Sequence, residues 1–410
     1  MDPSGFDNPH DALVDAGAAA RILGVKVPTL YSYVSRGWVR AFPSGRHREK
    51  RYPREDLERL RHRADARLGH EAVAAGALRW GEPVLSSALT EIRPDGPWYR
   101  GHSALDLART ARFEAVAELL WTGDLPSRPP AWPHAHVLPL RVRWRPSPPV
   151  DTLLAGLAAF RQARTGGPVS EPGGPQLIWT LVGLVAAAAG KRPADALAMP
   201  RVASGVQRAL GAPVRGTGML EAALVLCADH ELNVSSFAAR VAASTGADLE
   251  ACILAGLAAF SGPRHGAESM RVQALVTEAG RPDRARTTLL ARVRRGEPLP
   301  GFGHRLYPAG DPRGTLLLAL TAGDARRSRL LATLRALVAE AARLGLGAPN
   351  LDVGLLAVAH ALRLPPWAGQ VLFCVGRSAG WIAHVAEQRS SGELLRPRAR
   401  YVGPRAPGAR

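Results

Sequence analysis

Residues 301–313, with the sequence GFGHRLYPAGDPR, combine one histidine and two arginines on a segment without hydrophobic periodicity. His304 lies between Gly303 and Arg305, and Arg313 follows nine positions after His304. An imidazole can polarise a carbonyl group, and an arginine fork binds a carboxylate through two parallel hydrogen bonds. The segment therefore predicts a rigid corner that presents an acid–base group and an anion clamp to one ligand.

Similar groups recur at other corners and helix starts. His230 stands with Asn233 and Arg240 in DHELNVSSFAARVAAST (229–245), His265 follows a Gly/Pro turn, and Asp352 opens a predicted helix. Taken alone, each has a structural explanation, because a histidine on a turn is often solvated and an aspartate at a helix start often caps that helix.

Arg377 is harder to explain structurally, because it lies within the apolar segment LFCVGRSAGWIAHVAEQ (372–388). A buried arginine without a partner is costly, so we expect an anion or carboxylate to meet it. Arg396 and Arg398 follow on an extended tail. An acid–base enzyme for a polycarboxylate would use a set of this kind, namely His230, His265, His304, Asp352, Arg313, Arg377 and Arg396.

The elements that position these groups are predicted to be almost entirely helical. From about residue 79, a short β-like stretch is followed by Ala- and Leu-rich helical segments that are separated by Gly and Pro. The 14-residue apolar run at 177–190 is too short to span a bilayer and predicts a buried helix. The sequence contains no Gly-rich phosphate loop and no HExxH spacing, so we expect no nucleotide-binding fold, no catalytic metal and no cofactor.

Composition adds broad limits. The N-terminus has no basic start or apolar segment, so we predict no signal peptide and a cytoplasmic protein. Cys227, Cys252 and Cys374 form no CxxC pair and are predicted to be free, buried thiols. The net charge of +18 is spread along the chain, with 13 basic and 9 acidic residues in 1–70, and only weakly favours anionic ligands.

Residues 12–67 are predicted to form a separate module of two short helices, a basic hairpin and a charged helix from about Pro53. The first helix would end at Gly24-Val25, and Thr29 would cap the second after a turn at Pro28. The segment AARILGVKVPTLYSYVSRGWV resembles the winged helix-turn-helix family of MerR-type and excisionase-type DNA binders. The resemblance implies a recognition helix and a basic wing with Thr29, Tyr31, Ser32, Arg36, Arg46, His47, Arg48, Lys50 and Arg51. The alternatives are a protein-interaction or assembly module, or a fusion relic.

Six motifs occur in the order known from the bacterial citrate synthase family: HELNVSSFAARVAAST, GPRHG, GFGHRLYPAGDPR, PNLDVG, VGRSAGWIAHVAEQ and RPRARYVGP. YRGHSALDLA and FEAVAELLWTGDLP are similar to its N-terminal part, so the resemblance covers about residues 79–404. It implies a mainly α-helical, citrate synthase-like two-domain fold and a homodimer with a shared active site. The implied division is a module at 1–70, a large domain at 71–266 and 353–410, and a small closing domain at 267–352.

The resemblance also implies the chemical roles in a condensation of acetyl-CoA with oxaloacetate. Asp352 would remove a methyl proton from the acetyl group, His265 would stabilise the enol, and His304 would polarise the oxaloacetate carbonyl. The carboxylates would be bound by His230, Arg313, Arg377 and, from the partner subunit, Arg396. On the loop, Gly-Phe-Gly would let the backbone approach the ligand closely.

Two departures from the family pattern concern the site. After His265 the usual GGA is GAE, so Glu268 lies near the catalytic groups, where it either raises the pKa of Asp352 or His265 or points to solvent; we expect solvent. Pro308 replaces a frequent basic residue in the loop, and Arg264 and Arg305 are the candidate replacements for contact with the CoA phosphates.

Three functional hypotheses remain open at this point. The first is a citrate synthase, with a 2-methylcitrate synthase that uses propionyl-CoA as a close alternative, because one methylene is worth only about 1–3 kcal/mol. The second is a DNA-binding regulator that senses citrate or an acyl-CoA. The third is an enzyme whose N-terminal module serves assembly only.

Overall fold

The structure is a computed structural model that describes residues 13–43, 50–54, 56, 57, 60, 61, 85–132, 148–165, 173–397 and 403. Its mainly α-helical architecture confirms the predicted fold class. The two sheets that it contains in these residues are small, with three strands each.

The N-terminal part has its own small hydrophobic core. Strands β1 (Leu13–Val14), β2 (Phe42–Pro43) and β3 (Lys50–Pro53) form an antiparallel sheet in the order β1-β3-β2. Helix α1 (Ala16–Leu23) ends at Gly24 as predicted, and α2 (Val27–Ser35) follows it. The core consists of Val14, Ala19, Leu30, Val39, Tyr52 and Leu57.

The predicted cap at Thr29 is wrong. The N-cap of α2 is Lys26, three residues earlier, and the helix includes Pro28 in its first turn. Proline is well tolerated there because the first N–H groups of a helix have no partner within the helix. Thr29 is thus an ordinary helical residue and is half-buried.

The rest of the chain opens with a second antiparallel sheet. Strands β4 (Thr90–Arg93), β5 (Gly96–Tyr99) and β6 (His102–Ser103) pair in sequence order, which agrees with the predicted β-like stretch. Tyr99 at the end of β5 is fully buried, and its hydroxyl donates to the carbonyl oxygen of Asp229 at 3.0 Å. The small sheet therefore helps to fix a segment that leads into the candidate site.

Helices make up most of the remainder. They are α3 (Ala104–Thr110), α4 (Phe113–Thr122), α5 (Pro149–Thr165), α6 (Gly174–Ala188), α7 (Pro193–Leu197), α8 (Val202–Leu210), α9 (Thr217–Cys227), α10 (Val234–Ser244), α11 (Leu249–Ser261), α12 (Glu268–Ala279), α13 (Ala285–Arg295), α14 (Pro312–Leu320), α15 (Arg329–Arg343), α16 (Leu351–Ala361) and α17 (Ala368–Ser391). Short 3₁₀ helices occupy Val214–Gly216, Pro282–Arg284 and Ala322–Arg327.

Two further hydrophobic cores organise these helices. The larger one draws on residues from Leu89 to Val385, and the smaller one draws on residues from Val272 to Ala361. Helix α16 contributes to both, since Leu355 belongs to the larger core and Val353 to the smaller one. The domain boundaries predicted from the sequence stay predictions.

The predicted buried helix at 177–190 is confirmed by α6, in which ten consecutive residues from Leu177 to Ala186 are buried. All three cysteines are free and buried, as expected. Among the described residues, no helix is both long and apolar enough to cross a membrane.

Candidate active site

The segment 227–230 lies along one face of α17 and brings the first site residues together. Arg377 Nε donates to the carbonyl oxygen of Cys227 at 2.7 Å, and Gly380 N donates to that of Ala228 at 2.9 Å. Gly380 permits this approach, because a Cβ there would come within 2.4 Å of the Ala228 oxygen. We call residues 227–230 the crossing segment.

The carboxyl group of Asp229, within the crossing segment, lies next to a buried imidazole. Asp229 and His384 are both fully buried, with 3.2 Å between Asp229 Oδ1 and His384 Nε2. Asp229 Oδ2 also accepts a hydrogen bond from the Thr90 hydroxyl at 2.6 Å. The pKa of Asp229 is below its usual value although burial raises it, because His384 and Arg377 favour the charged form.

Arg377 is buried, as the sequence predicted. It is 1% exposed, its guanidinium lies 4.6 Å above the Phe373 ring, and burial lowers its pKa. Its Nη1 is buried and has no hydrogen-bond partner among the described residues. Leaving such a donor unpaired costs about 1–3 kcal/mol, so the position is suited to an anionic ligand.

His230, at the end of the crossing segment, is buried and faces the 301–313 loop. Its Nε2 lies 2.9 Å from the Tyr307 hydroxyl, and its ring centroid lies 5.4 Å from that of His304. Burial and the charge of Arg313 hold the pKa of His230 well below its usual value. His230 is therefore neutral near pH 7.

His304 is also neutral near pH 7, and the backbone selects its tautomer. Burial, followed by the charge of Arg313, lowers its pKa to about 4. Leu306 N donates to His304 Nδ1 at 3.1 Å, so the neutral ring carries its proton on Nε2. An Nε2–H group is a hydrogen-bond donor of the kind that polarises a carbonyl oxygen.

Arg313 is oriented by a residue that the sequence analysis did not select. Asp311 is fully buried and accepts from Arg313 Nε at 3.0 Å and from Nη2 at 2.8 Å. Its Oδ2 also accepts from Leu351 N at 3.2 Å, which connects the start of α14 to the start of α16. The only sequence signal for this fork was an aspartate two positions before the arginine.

At Gly301, the backbone closely approaches two other helices, whereas we expected it to approach a ligand. Gly301 has a φ of +85°, and a Cβ there would come within 2.5 Å of Val353 and 2.6 Å of Val272. The glycine is thus required by contact with α12 and α16, whereas the sequence predicted an approach to a ligand. This contact fixes the start of the loop that carries His304.

His265 lies on a turn, as predicted, and its ring contacts a serine hydroxyl. Its Nε2 is 2.9 Å from Ser235 Oγ in the first turn of α10, and its ring packs edge-on against Phe260 and Phe373. Burial, followed by the charge of Arg377, lowers the pKa of His265 to about 4. Ser235 lay within a quoted motif but was not singled out.

Asp352 does not cap its helix. Asn350 caps α16, and its Oδ1 accepts from Asp352 N at 3.0 Å and Val353 N at 3.4 Å. The Asp352 carboxyl is therefore available for chemistry. Burial, followed by the negative charge of Glu268, raises its pKa to about 7, close to the value that suits a general base at neutral pH.

A family model for the citrate synthase C-terminal domain matches residues 184–398, which is slightly more than half of the chain. The chain belongs to the citrate synthase family. It is 36% identical over 188 residues to citrate synthase 2 of Bacillus subtilis, an alignment that covers 44% of this chain and 50% of that protein. The chain thus spans about half the length of this relative in the alignment.

Longer alignments exist within the citrate synthase family. A Mycobacterium tuberculosis protein named 2-methylcitrate synthase is 30% identical over 364 residues, covering 79% of this chain and 89% of that protein. The crystal structure of citrate synthase from Thermotoga maritima matches with a TM-score of 0.67 at 26% identity, covering 79% of this chain and 94% of that one.

A Thermoplasma acidophilum citrate synthase, solved as a ternary complex with carboxymethyl coenzyme A and oxaloacetate, matches with a TM-score of 0.70. It is 23% identical and covers 80% of this chain and 96% of that one. This likeness concerns the fold.

Glu268, which departs from the citrate synthase pattern, has a different orientation from the one that we predicted from the sequence. The expected orientation toward solvent is wrong, because Glu268 Oε1 accepts from Gly301 N at 2.7 Å and the side chain is 25% exposed. Its charge raises the pKa of Asp352 but is not among the causes that shift His265.

The remaining predicted site residues lie at the surface of this citrate synthase family member. Arg264, Arg305 and Pro308 are exposed around the two histidine turns, and Arg396 is exposed beyond the end of α17. Within one chain, the structure does not bring Arg396 together with the buried residues His230, Arg313 and Arg377. The roles of these residues stay predictions.

In the N-terminal part, Tyr31, Ser32, Arg36 and Lys50 are exposed, as a binding surface requires, while Thr29 and Arg51 are half-buried. The Arg36 guanidinium lies 5.3 Å from the centre of the Trp38 ring. Arg46, His47 and Arg48 lie outside the described residues. DNA binding by this part stays a prediction.

Proposed function

We propose that the protein condenses an acyl-CoA with oxaloacetate and hydrolyses the resulting thioester, as a citrate synthase does with acetyl-CoA. The observation that carries the proposal is the environment of Asp352: its pKa is raised to about 7 in a site whose two candidate partner histidines stay neutral. A base and two neutral hydrogen-bonding groups suit proton abstraction next to a carbonyl.

In the first step, Asp352 takes a proton from the carbon next to the thioester carbonyl. A carboxylate is too weak to do this alone, so the developing enol oxygen needs a hydrogen bond, which His265 supplies from Nδ1. That role requires Nε2 to be the unprotonated nitrogen. Ser235 Oγ lies 2.9 Å from His265 Nε2 but donates to Asn233 Oδ1 at 2.8 Å, so this role requires its one hydroxyl hydrogen to turn from Asn233 to Nε2.

In the second step, the enol carbon attacks the oxaloacetate carbonyl carbon. His304 polarises the carbonyl oxygen through Nε2–H and then gives that proton to the alkoxide. His230, Arg313 and Arg377 hold the carboxylates, and Arg396 of the partner subunit completes the clamp in a homodimer. Fixing both reactants in this way converts a bimolecular step into one within the complex.

In the last step, a water molecule attacks the thioester carbon of the citryl intermediate, the C–S bond breaks, and CoA leaves as the thiol. Arg264 and Arg305, both exposed beside the histidine turns, are candidates for contact with the CoA phosphates. The chemistry needs no metal and no cofactor besides the thioester substrate.

A second candidate substrate is propionyl-CoA, which would give 2-methylcitrate. It is favoured by the alignment over 79% of this chain with a protein named 2-methylcitrate synthase. The two thioesters differ by one methylene, which a pocket distinguishes by about 1–3 kcal/mol.

The test is CoA release by the purified protein with oxaloacetate and either acetyl-CoA or propionyl-CoA, with Asp352→Ala as control. Turnover that Asp352→Ala abolishes supports the proposal, and the ratio of kcat/KM values names the preferred thioester. Binding of both thioesters without turnover overturns it in favour of a ligand-responsive regulator.

For the N-terminal part, the competing uses are contact with DNA and contact with protein. Binding of the full-length protein to duplex DNA that weakens steeply with salt, and weakens in Arg36→Ala, supports DNA contact. Salt-independent behaviour, or no effect of Arg36→Ala, contradicts it.

A further inference from the structure

Glu268 is the first residue of α12 and lies three residues after His265. Its Oε1 accepts a hydrogen bond from Gly301 N at 2.7 Å, and its Oε2 lies 3.4 Å from Arg271 Nη1 on the more exposed side. A carboxylate that accepts a backbone N–H is held in place more firmly than a solvated one. Glu268 thus joins the start of α12 to the loop that carries His304.

The loop continues this connection to Asp352. Gly301 O accepts from Asn350 N at 2.8 Å, and Gly303 N donates to Ala348 O at 2.8 Å. Asn350 in turn caps α16 through the backbone N–H of Asp352. Glu268, Gly301, Asn350 and Asp352 are therefore linked by consecutive hydrogen bonds.

The charges that face Asp352 come from several elements. Glu268 on α12 and Asp311 before α14 are negative, and Arg313 on α14 is positive. The Arg313 charge is already matched by Asp311, which binds it through two hydrogen bonds. The Ser269 backbone N–H at the start of α12 favours the charged carboxylate of Asp352. Cys227 at the end of α9 is uncharged near pH 7, and Arg377 on α17 acts on His265.

We propose that Glu268 is a positioning residue that acts through Asp352: it anchors the loop to α12 and, by its negative charge, makes Asp352 a stronger base. The inference rests on the proposed function. A second carboxylate beside the first disfavours the doubly charged state, and this effect is the same whichever thioester is used. The gain in basicity is offset by a smaller ionised fraction of Asp352 in acidic solution.

The test variant is Glu268→Gln, because the amide oxygen still accepts from Gly301 N while the charge is lost. We expect the acidic limb of the kcat/KM profile to move to lower pH by about one unit. The matched control is Glu278→Gln, which removes one charge from the same helix at a carboxylate that pairs with Arg292 and Arg295. An unmoved limb in Glu268→Gln, or an equal shift in Glu278→Gln, overturns the proposal.

Glu268→Ala tests the anchoring separately, since it removes both the charge and the acceptor for Gly301 N. We expect the same shift as in Glu268→Gln together with a further fall in kcat of about tenfold, because His304 is held less firmly. The same kcat in Glu268→Ala and Glu268→Gln contradicts the anchoring role.

A direct titration separates this inference from the proposed function. Carboxyl ¹³C signals of labelled aspartates are followed with pH, and Asp352→Asn identifies the Asp352 signal. A lower Asp352 pKa in Glu268→Gln supports the inference even if no thioester turns over. Turnover with an unchanged Asp352 pKa overturns the inference and leaves the proposed function intact.

Discussion

Arg377 donates its Nε–H to the carbonyl oxygen of Cys227 at 2.7 Å, while its Nη1 remains buried without a hydrogen-bond partner among the described residues. The contact between α17 and the crossing segment therefore fixes the direction of the guanidinium and leaves one donor for a ligand. Such an arrangement favours anion binding over the stability of the unliganded protein.

We predict that Arg377→Met separates these two properties. Oxaloacetate is expected to raise the Tm of the unmodified protein but not that of Arg377→Met, whereas the free energy of unfolding without ligand is expected to stay equal or rise by about 1 kcal/mol. Thermal unfolding with and without oxaloacetate checks this. Arg284→Met, at an exposed arginine, serves as the charge control, and an unchanged ligand response in Arg377→Met contradicts the prediction.

Asp352 predicts a pH-dependent stability. Its pKa is higher in the folded protein, at about 7, than the ordinary 3.8, so the folded state binds the proton more tightly. The associated stability is fully present below about pH 4 and is lost as the pH rises through about 7. Asp352→Asn should therefore raise the free energy of unfolding by about 4 kcal/mol at pH 8 and leave it nearly unchanged near pH 4. Denaturant unfolding at both pH values measures this, and equal stability at pH 8 contradicts it.

Ser235 is predicted to act through the tautomer of His265. Ser235→Ala removes the hydroxyl 2.9 Å from Nε2, and we expect kcat to fall about tenfold with little change in KM for oxaloacetate. Ser236→Ala is the matched control, since it deletes a neighbouring buried hydroxyl that has no partner among the described residues. Equal kcat values for both variants contradict the role of Ser235.

The features that the sequence predicted correctly depend on local pattern or on burial. The helix end at Gly24, the buried α6 and the buried position of Arg377 all follow from residue type and apolar spacing. Asp352 at a helix start was also predicted, although Asn350 and not Asp352 provides the cap.

The features that the sequence missed depend on contacts between distant segments. Glu268 binds Gly301 across 33 positions, and Asp311 binds Leu351 across 40. Hydrophobic periodicity in the sequence does not indicate contacts between such distant residues. The orientation of Glu268 was therefore predicted wrongly, and Asp311 was not selected. The predicted cap at Thr29 was wrong for a different reason. Pro28 lies in the first turn of α2, whereas we expected it to form a turn before the helix.

Gly380 is predicted to be required for the geometry of the crossing segment. A methyl group in Gly380→Ala would come within 2.4 Å of the Ala228 oxygen and 2.5 Å of Asp229 Oδ1, so the segment that carries His230 must move. We expect a loss of about 1–3 kcal/mol in the free energy of unfolding and a higher KM for oxaloacetate. In the control Gly218→Ala, also within a helix, a Cβ meets nothing within 4 Å, and stability should rise by up to about 1 kcal/mol. Unchanged stability and KM in Gly380→Ala contradict the prediction.

Arg396 predicts complementation between subunits. If each site combines Asp352 of one subunit with Arg396 of the other, Asp352→Ala and Arg396→Ala proteins are each inactive, but mixed dimers contain one complete site. Unfolding and refolding an equal mixture should restore about a quarter of the unmodified activity, because half of the dimers are mixed and each has one intact site of two. No recovery, with mixed dimers verified by mass spectrometry, contradicts the shared site.

Helix α16 places Val353 in the smaller core and Leu355 in the larger one, directly after Asp352. A rigid helix that is packed on both sides gives the carboxylate two independent sets of neighbours, and neither set can shift without straining the other. His265 and His304 lie on the connections between helices, not within a helix. We therefore expect substrate entry to adjust the two imidazoles to a stationary carboxylate, so that small errors in loop conformation alter hydrogen bonding to the substrates before they alter the position of the base.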